Sequence, residues 1–170
     1  MGNEAALRRA VFFDRDGTLN VDTGYLYRQE DFRWIPGAVD AIRHCNRLGC
    51  LVIVVTNQSG VARGYFKEEA VLSLHRWMNE ELEKQGAHID AFYYCPHHPK
   101  GTVAEYAKEC ACRKPAPGLV DMACRDYSID RKRSLMIGDK DRDVECAHRA
   151  GVRGILYPGG SLLDALQPYL

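Results

Sequence analysis

The sequence predicts an α/β protein built on a doubly wound parallel sheet. Three observations carry that prediction: apolar runs of strand length, amphipathic helical stretches between them, and unusual polar text where several of the runs stop. Residues 10–14, "AVFFD", form the first buried run. Residues 36–49 read as a helix opened by Pro36 and closed by Gly49, and residues 51–57, "LVIVVTN", as a second strand. Over residues 67–86, apolar Val71, Leu74, Met78 and Leu82 fall at helical spacing behind an acidic first turn. "AFYYC" (91–95) is a third strand, and a long loop leads to a helix over 117–127. Then come a strand at 134–139, a helix at 143–151, a strand at 152–158 and a closing helix at 161–170. Strands separated by helices imply a parallel sheet with helices on both faces.

With 170 residues, the chain is expected to be one domain, 1–170, with a full core. Lys plus Arg equals Asp plus Glu at 23 each and no block of one sign stands out, so the field that nucleic-acid binding needs is missing. The amino-terminal text is neither a signal peptide nor a membrane span, and Ala6 argues against myristoylation at Gly2, so a cytoplasmic protein without a membrane partner is expected. Nothing suggests a large apolar patch, and a monomer is expected. Among the seven cysteines, Cys45, Cys50, Cys124 and Cys146 stand alone within helix or strand signals and read as packing residues. His44, His75 and His148 lie in helical patterns away from any motif and read as surface or packing residues.

In an open α/β sheet, function gathers at the carboxyl ends of the strands. Three of those ends read "FFD-RDGT", "VVT-NQSG" and "MIG-DK", which would bring Asp14, Asp16, Thr56, Asn57, Asp139 and Lys140 to one crevice. Like charges as close as Asp14 and Asp16 call for a cation or a shared proton. Mg²⁺ fits best, because it takes one or two carboxylates and keeps positions for water and phosphate. A carboxylate can also be a covalent nucleophile toward phosphorus. Thr56 supplies a hydroxyl, the "NQSG" turn supplies backbone N–H groups and Lys114 supplies a charge, all of which suit phosphoryl transfer.

Cys95, His97, Cys110 and Cys112 give Cys-x-His and Cys-x-Cys separated by twelve residues: a closed set of soft ligands, as in structural Zn²⁺ sites. Spacing alone barely separates His97 from His98. Bound metal would pin the loop over about 95–112 and aim the Arg113 and Lys114 that follow.

Taken together, "DRDGT", Thr56, Lys114 and "GDKDRD" resemble, in order and spacing over nearly the whole chain, the four motifs of the haloacid dehalogenase superfamily of phosphohydrolases. The resemblance implies a fold without an inserted cap domain and a Mg²⁺-dependent phosphatase acting on a small phosphorylated sugar. It implies that Asp14 attacks phosphorus, that Asp16 is the general acid and then base, and that Thr56 and Lys114 hold the phosphoryl oxygens. Mg²⁺ would be held by Asp14, the main-chain carbonyl of Asp16 and Asp139, with Asp143 behind them. Asp22, Thr23, Gly24, Tyr25, Asn57, Gln58, Ser59, Arg113 and Lys140 would contact substrate, and His97 would be the zinc ligand. Histidinol-phosphate phosphatases carry similar features and supply the rival substrate; a zinc-stabilised binding module without turnover is the rival of another class.

Overall fold

The computed structural model describes residues 5–170, and the reading at Gly2 lies outside them. Strands β1 (Ala10–Phe13), β2 (Leu51–Asn57), β3 (Ala91–Cys95), β4 (Leu135–Gly138) and β5 (Arg153–Leu156) form one parallel sheet in the order β3-β2-β1-β4-β5. Helices α1 (Ala38–Arg47), α2 (Glu68–Glu83), α3 (Gly118–Tyr127), α4 (Asp141–Arg149) and α5 (Leu162–Leu166) connect or follow them.

Alternation along each strand divides the core between two faces. Val11, Phe13, Val52 and Val54 pack with Ala41 and Ile42 of α1, Leu74 and Met78 of α2 and Leu162 of α5. Ala10, Phe12, Leu51, Ile53 and Val55 pack with Leu119 and Val120 of α3 and Cys146 and Ala147 of α4. A parallel sheet covered on both sides needs apolar residues at every position, which is why β2 reads as an unbroken apolar run. Cys45, Cys50, Cys124 and Cys146 are buried free thiols within these layers.

The closing helix is shorter than its sequence pattern. Ser161 caps α5 by accepting from the Asp164 N–H, but after Leu166 the chain tightens into a 3₁₀ turn over Gln167–Tyr169. Pro168 has no N–H to continue the helical ladder. Among the described residues, no helix is long and apolar enough to cross a membrane.

The strand order reverses at β1: β2 and β3 lie on one side, β4 and β5 on the other. The crevice at the carboxyl ends of β1 and β4 is therefore where a ligand site is expected. Asp14 follows β1 and Asp139 follows β4.

Candidate active site

Lys114 links the two sides of this crevice. Its ammonium, buried with only 2% of the residue exposed, donates to Asp14 Oδ1 (2.8 Å), Asp143 Oδ1 (2.7 Å) and the Val55 carbonyl (2.8 Å). An ammonium has three protons, so in this arrangement none is left for a substrate oxygen. This differs from the expectation that Lys114 grips a phosphoryl group: here its charge is spent on the carboxylates. Burial pushes Asp14 well above the ordinary carboxyl range, against the pull of Lys114, and neighbouring Asp143 adds to the rise. Burial works to lower Lys114, but Asp14 and Asp143 outweigh it and hold the ammonium charged. Asp14 Oδ2 has no donor among the described residues, leaving one oxygen of this carboxylate uncommitted.

Asp16 is held from several directions. Arg15 donates through Nε to Oδ1 (3.1 Å) and through one terminal nitrogen to Oδ1 and Oδ2 (3.0 and 3.1 Å). Asn20 Nδ2 adds a bond to Oδ1 (3.0 Å) and Gln58 Nε2 a bond to Oδ2 (3.0 Å). Gln58 Nε2 also donates to the Thr56 hydroxyl at 2.9 Å. Sequence reasoning assigned no role to Arg15 or Asn20, and the charge alternation in "DRD" was the one available signal. His75, expected to lie away from every motif, is buried against Arg15, whose guanidinium reaches it from the turn after β1.

Carboxylates of Asp14, Asp139 and Asp143 each offer an oxygen within 4.8 Å of the others. Both Asp143 oxygens are already used, by Lys114 and by the Lys140 N–H (3.1 Å). Asp139 Oδ1 is buried without a partner, a costly condition that a bound cation would relieve. Three carboxylates around one buried ammonium leave negative charge in excess. The hard-oxygen donor set thus fits a divalent cation held by Asp14 and Asp139, with Asp143 fixing Lys114 behind them. Gly17 guards this space: its φ is +88° and a Cβ there would lie 2.2 Å from Asp139 Oδ2. Gly17→Ala is expected to destabilise the fold by about 1–3 kcal/mol and to weaken divalent-cation binding, measured by thermal melting and by cation titration.

A cleft of about 330 Å³ opens over these groups. Asp14, Asp16, Asp22, Gly24, Tyr25, Thr56, Asn57, Gln58, Ser59, Arg113 and Lys140 all line it. Thr23 does not; it lines a neighbouring hollow with Tyr27 and Arg33. Asn57 is less free than its position implies, since Oδ1 accepts from the Lys114 N–H (2.9 Å) and Nδ2 donates to the Lys114 carbonyl (3.2 Å). Arg63 and Arg142, which sequence reasoning passed over, also line the cleft. Arg113 is drawn below its usual value by burial first and then by Arg142, and a buried N–H group on each of Arg63 and Arg113 lacks a partner. Such a cationic wall suits an anionic ligand.

At the end of β3, Cys95, His97, Cys110 and Cys112 converge. Cys112 Sγ lies 2.9 Å from Cys95 Sγ, 3.4 Å from Cys110 Sγ and 3.4 Å from His97 Nδ1. The Cys95–Cys112 contact pulls the Cys112 thiol down, to about 5, and pushes Cys95 up. Four soft ligand atoms with no carboxylate among them make a set that can hold a metal. Of the two histidines that spacing left open, His97 points into the set, whereas His98 turns its Nδ1 to the Lys100 N–H and its Nε2 to Arg63.

The family model described as HAD-hydrolase-like matches residues 111–167. A D-glycero-beta-D-manno-heptose-1,7-bisphosphate 7-phosphatase from Yersinia pestis is 47% identical over 143 residues, 84% of this chain and 76% of the relative. One from Rhodopseudomonas palustris is 46% identical over 159 residues, 94% of this chain and 88% of the relative. Among solved structures, the D,D-heptose 1,7-bisphosphate phosphatase from B. bronchiseptica, complexed with magnesium and phosphate, superposes with a TM-score of 0.79 at 32% identity, covering 94% of this chain and 86% of that one.

Proposed function

Since the chain belongs to the D-glycero-beta-D-manno-heptose-1,7-bisphosphate 7-phosphatases, within the HAD-like hydrolases, we propose that it hydrolyses the C7 phosphate of heptose 1,7-bisphosphate to give heptose 1-phosphate and inorganic phosphate. The observation that carries the chemistry is Asp14, whose Oδ1 is clamped by Lys114 while Oδ2 stays uncommitted in a cleft with cationic walls.

Asp14 Oδ2 attacks phosphorus, and the bond from phosphorus to the C7 oxygen breaks. The departing oxygen takes its proton from Asp16 Oδ2, which gives up the Gln58 contact while Arg15 and Asn20 keep hold of Oδ1. As a carboxylate again, Asp16 takes a proton from water, which attacks the aspartyl-phosphate and frees phosphate and Asp14. Thr56 and the backbone of the turn after β2 receive the phosphoryl oxygens, while Lys114 keeps Asp14 oriented and Asn57 keeps the Lys114 backbone in register. Mg²⁺, held by Asp14, the main-chain carbonyl of Asp16 and Asp139, neutralises charge on the phosphoryl group when bound. A Zn²⁺ in the Cys95, His97, Cys110 and Cys112 set is structural, and its energy fixes the loop that delivers Arg113 and Lys114. Arg63, Arg113 and Arg142 hold the sugar and its remaining phosphate.

Phosphate release with Mg²⁺ from both anomers of heptose 1,7-bisphosphate, alongside histidinol phosphate and fructose 1,6-bisphosphate, tests this reading. A heptose anomer is expected to be preferred, with β ahead of α as the relatives' names specify. Faster release from histidinol phosphate would overturn the substrate assignment and leave the chemistry standing.

A further inference from the structure

Arg15 is the largest fully buried side chain among the described residues, and each nitrogen of its guanidinium has a partner. Two faces hold Asp16, one N–H reaches the Leu26 carbonyl at 2.9 Å, and the remaining terminal nitrogen lies 3.2 Å from His75 Nε2. Arginine has only donors, so His75 Nε2 must be the acceptor and the ring proton must sit on Nδ1. Nδ1 is buried and has no partner. An imidazole that leaves one nitrogen unpaired to offer the other to Arg15 is expensive as mere filling, because a buried unsatisfied donor costs about 1–3 kcal/mol. The ring is fixed from the other side by stacking on Phe92, with centroids 4.4 Å apart and planes at 13°. We infer that His75 is a positioning residue: through Arg15 it sets the direction of the Asp16 carboxyl, and so the efficiency with which Asp16 protonates the leaving group.

This inference rests on the reading of Asp16 as the proton donor. His75 comes from α2, Phe92 from β3 and Arg15 from the turn after β1, so three elements converge on the orientation of one carboxyl. Burial first, and Arg15 second, hold His75 well below the ordinary histidine value, which keeps the ring neutral and its lone pair available. Were the ring replaced by a group that cannot accept, Arg15 would lose the contact opposite Asp16 and be free to pivot away from it. Misplacement of a catalytic group by a fraction of an ångström to 1 Å costs roughly tenfold to a hundredfold.

The test is leaving-group dependence, which a general loss of order would not alter. His75→Phe keeps the aromatic stack and removes the acceptor; His75→Gln supplies an amide oxygen in its place. kcat/KM, which covers the chemistry only through departure of the leaving group, is measured with heptose 1,7-bisphosphate and with p-nitrophenyl phosphate, whose phenolate departs without a proton. His75→Phe is expected to lower kcat/KM for the sugar phosphate about tenfold or more while changing p-nitrophenyl phosphate by less than about threefold, with His75→Gln recovering most of the loss. Asp16→Asn is run beside them and should show the same selectivity in larger measure. If Asp16→Asn is selective and a folded His75→Phe affects both substrates equally or neither, or a folded His75→Gln lowers both equally, the positioning role is overturned alone. If Asp16→Asn shows no selectivity, its reading as the acid fails and the inference falls with it.

Discussion

Asp14→Asn is expected to lower phosphate release by roughly 10⁴-fold or more while leaving the fold and the metal content of the Cys/His set unchanged. The amide retains an oxygen for Lys114, and Lys114 keeps Asp143 and the Val55 carbonyl, so its charge is not stranded. Burial opposes ionisation of Asp14, so removing the carboxylate is expected to leave the melting temperature within a few degrees of the parent, or to raise it. Circular dichroism and metal analysis separate this outcome from simple unfolding. Substantial residual turnover would refute the assignment of Asp14 as nucleophile.

Cys110→Ser should act through the opposite link, removing stability first and activity as a consequence. A structural zinc site contributes about 10–16 kcal/mol in zinc-finger peptides, comparable with the whole stability of a typical domain. Even a partial loss of about 3–5 kcal/mol would lower the melting temperature by roughly 10 °C. Arg113 and Lys114 directly follow Cys112, so turnover should fall with the metal, although the Asn57 clamp on the Lys114 backbone keeps that residue from being released entirely. Metal content and melting curves check the prediction. A variant that is metal-free, normally stable and active would contradict the structural role of the set.

Much of this arrangement is legible in the sequence because it is local. Strands and helices alternate with clear periodicity, and Asp14, Thr56 and Asp139 each stand where an apolar run stops, so the sheet order brings them to one edge. The paired spacing of the cysteines is local too. Less legible are contacts across long separations: Lys114 meets Asp14 from 100 residues away and Asn57 from 57, and no periodicity records either. The choice between His97 and His98 is made by the direction of the chain leaving β3, which neighbouring residues in the sequence do not reveal. His75 is hidden for a related reason. It occupies an ordinary core-facing position of α2, and only the reach of Arg15 from the turn after β1 brings the two together.

The most direct test of the chemistry is to trap the covalent intermediate. Protein turning over heptose 1,7-bisphosphate with Mg²⁺ is quenched in acid, reduced with borohydride and mapped by peptide mass spectrometry, which converts an aspartyl-phosphate to homoserine. The mechanism predicts homoserine at position 14, dependent on both substrate and Mg²⁺ and absent from Asp14→Asn. Reduction at another carboxylate, or steady phosphate release with no reducible acyl-phosphate under conditions that slow the second step, would contradict it.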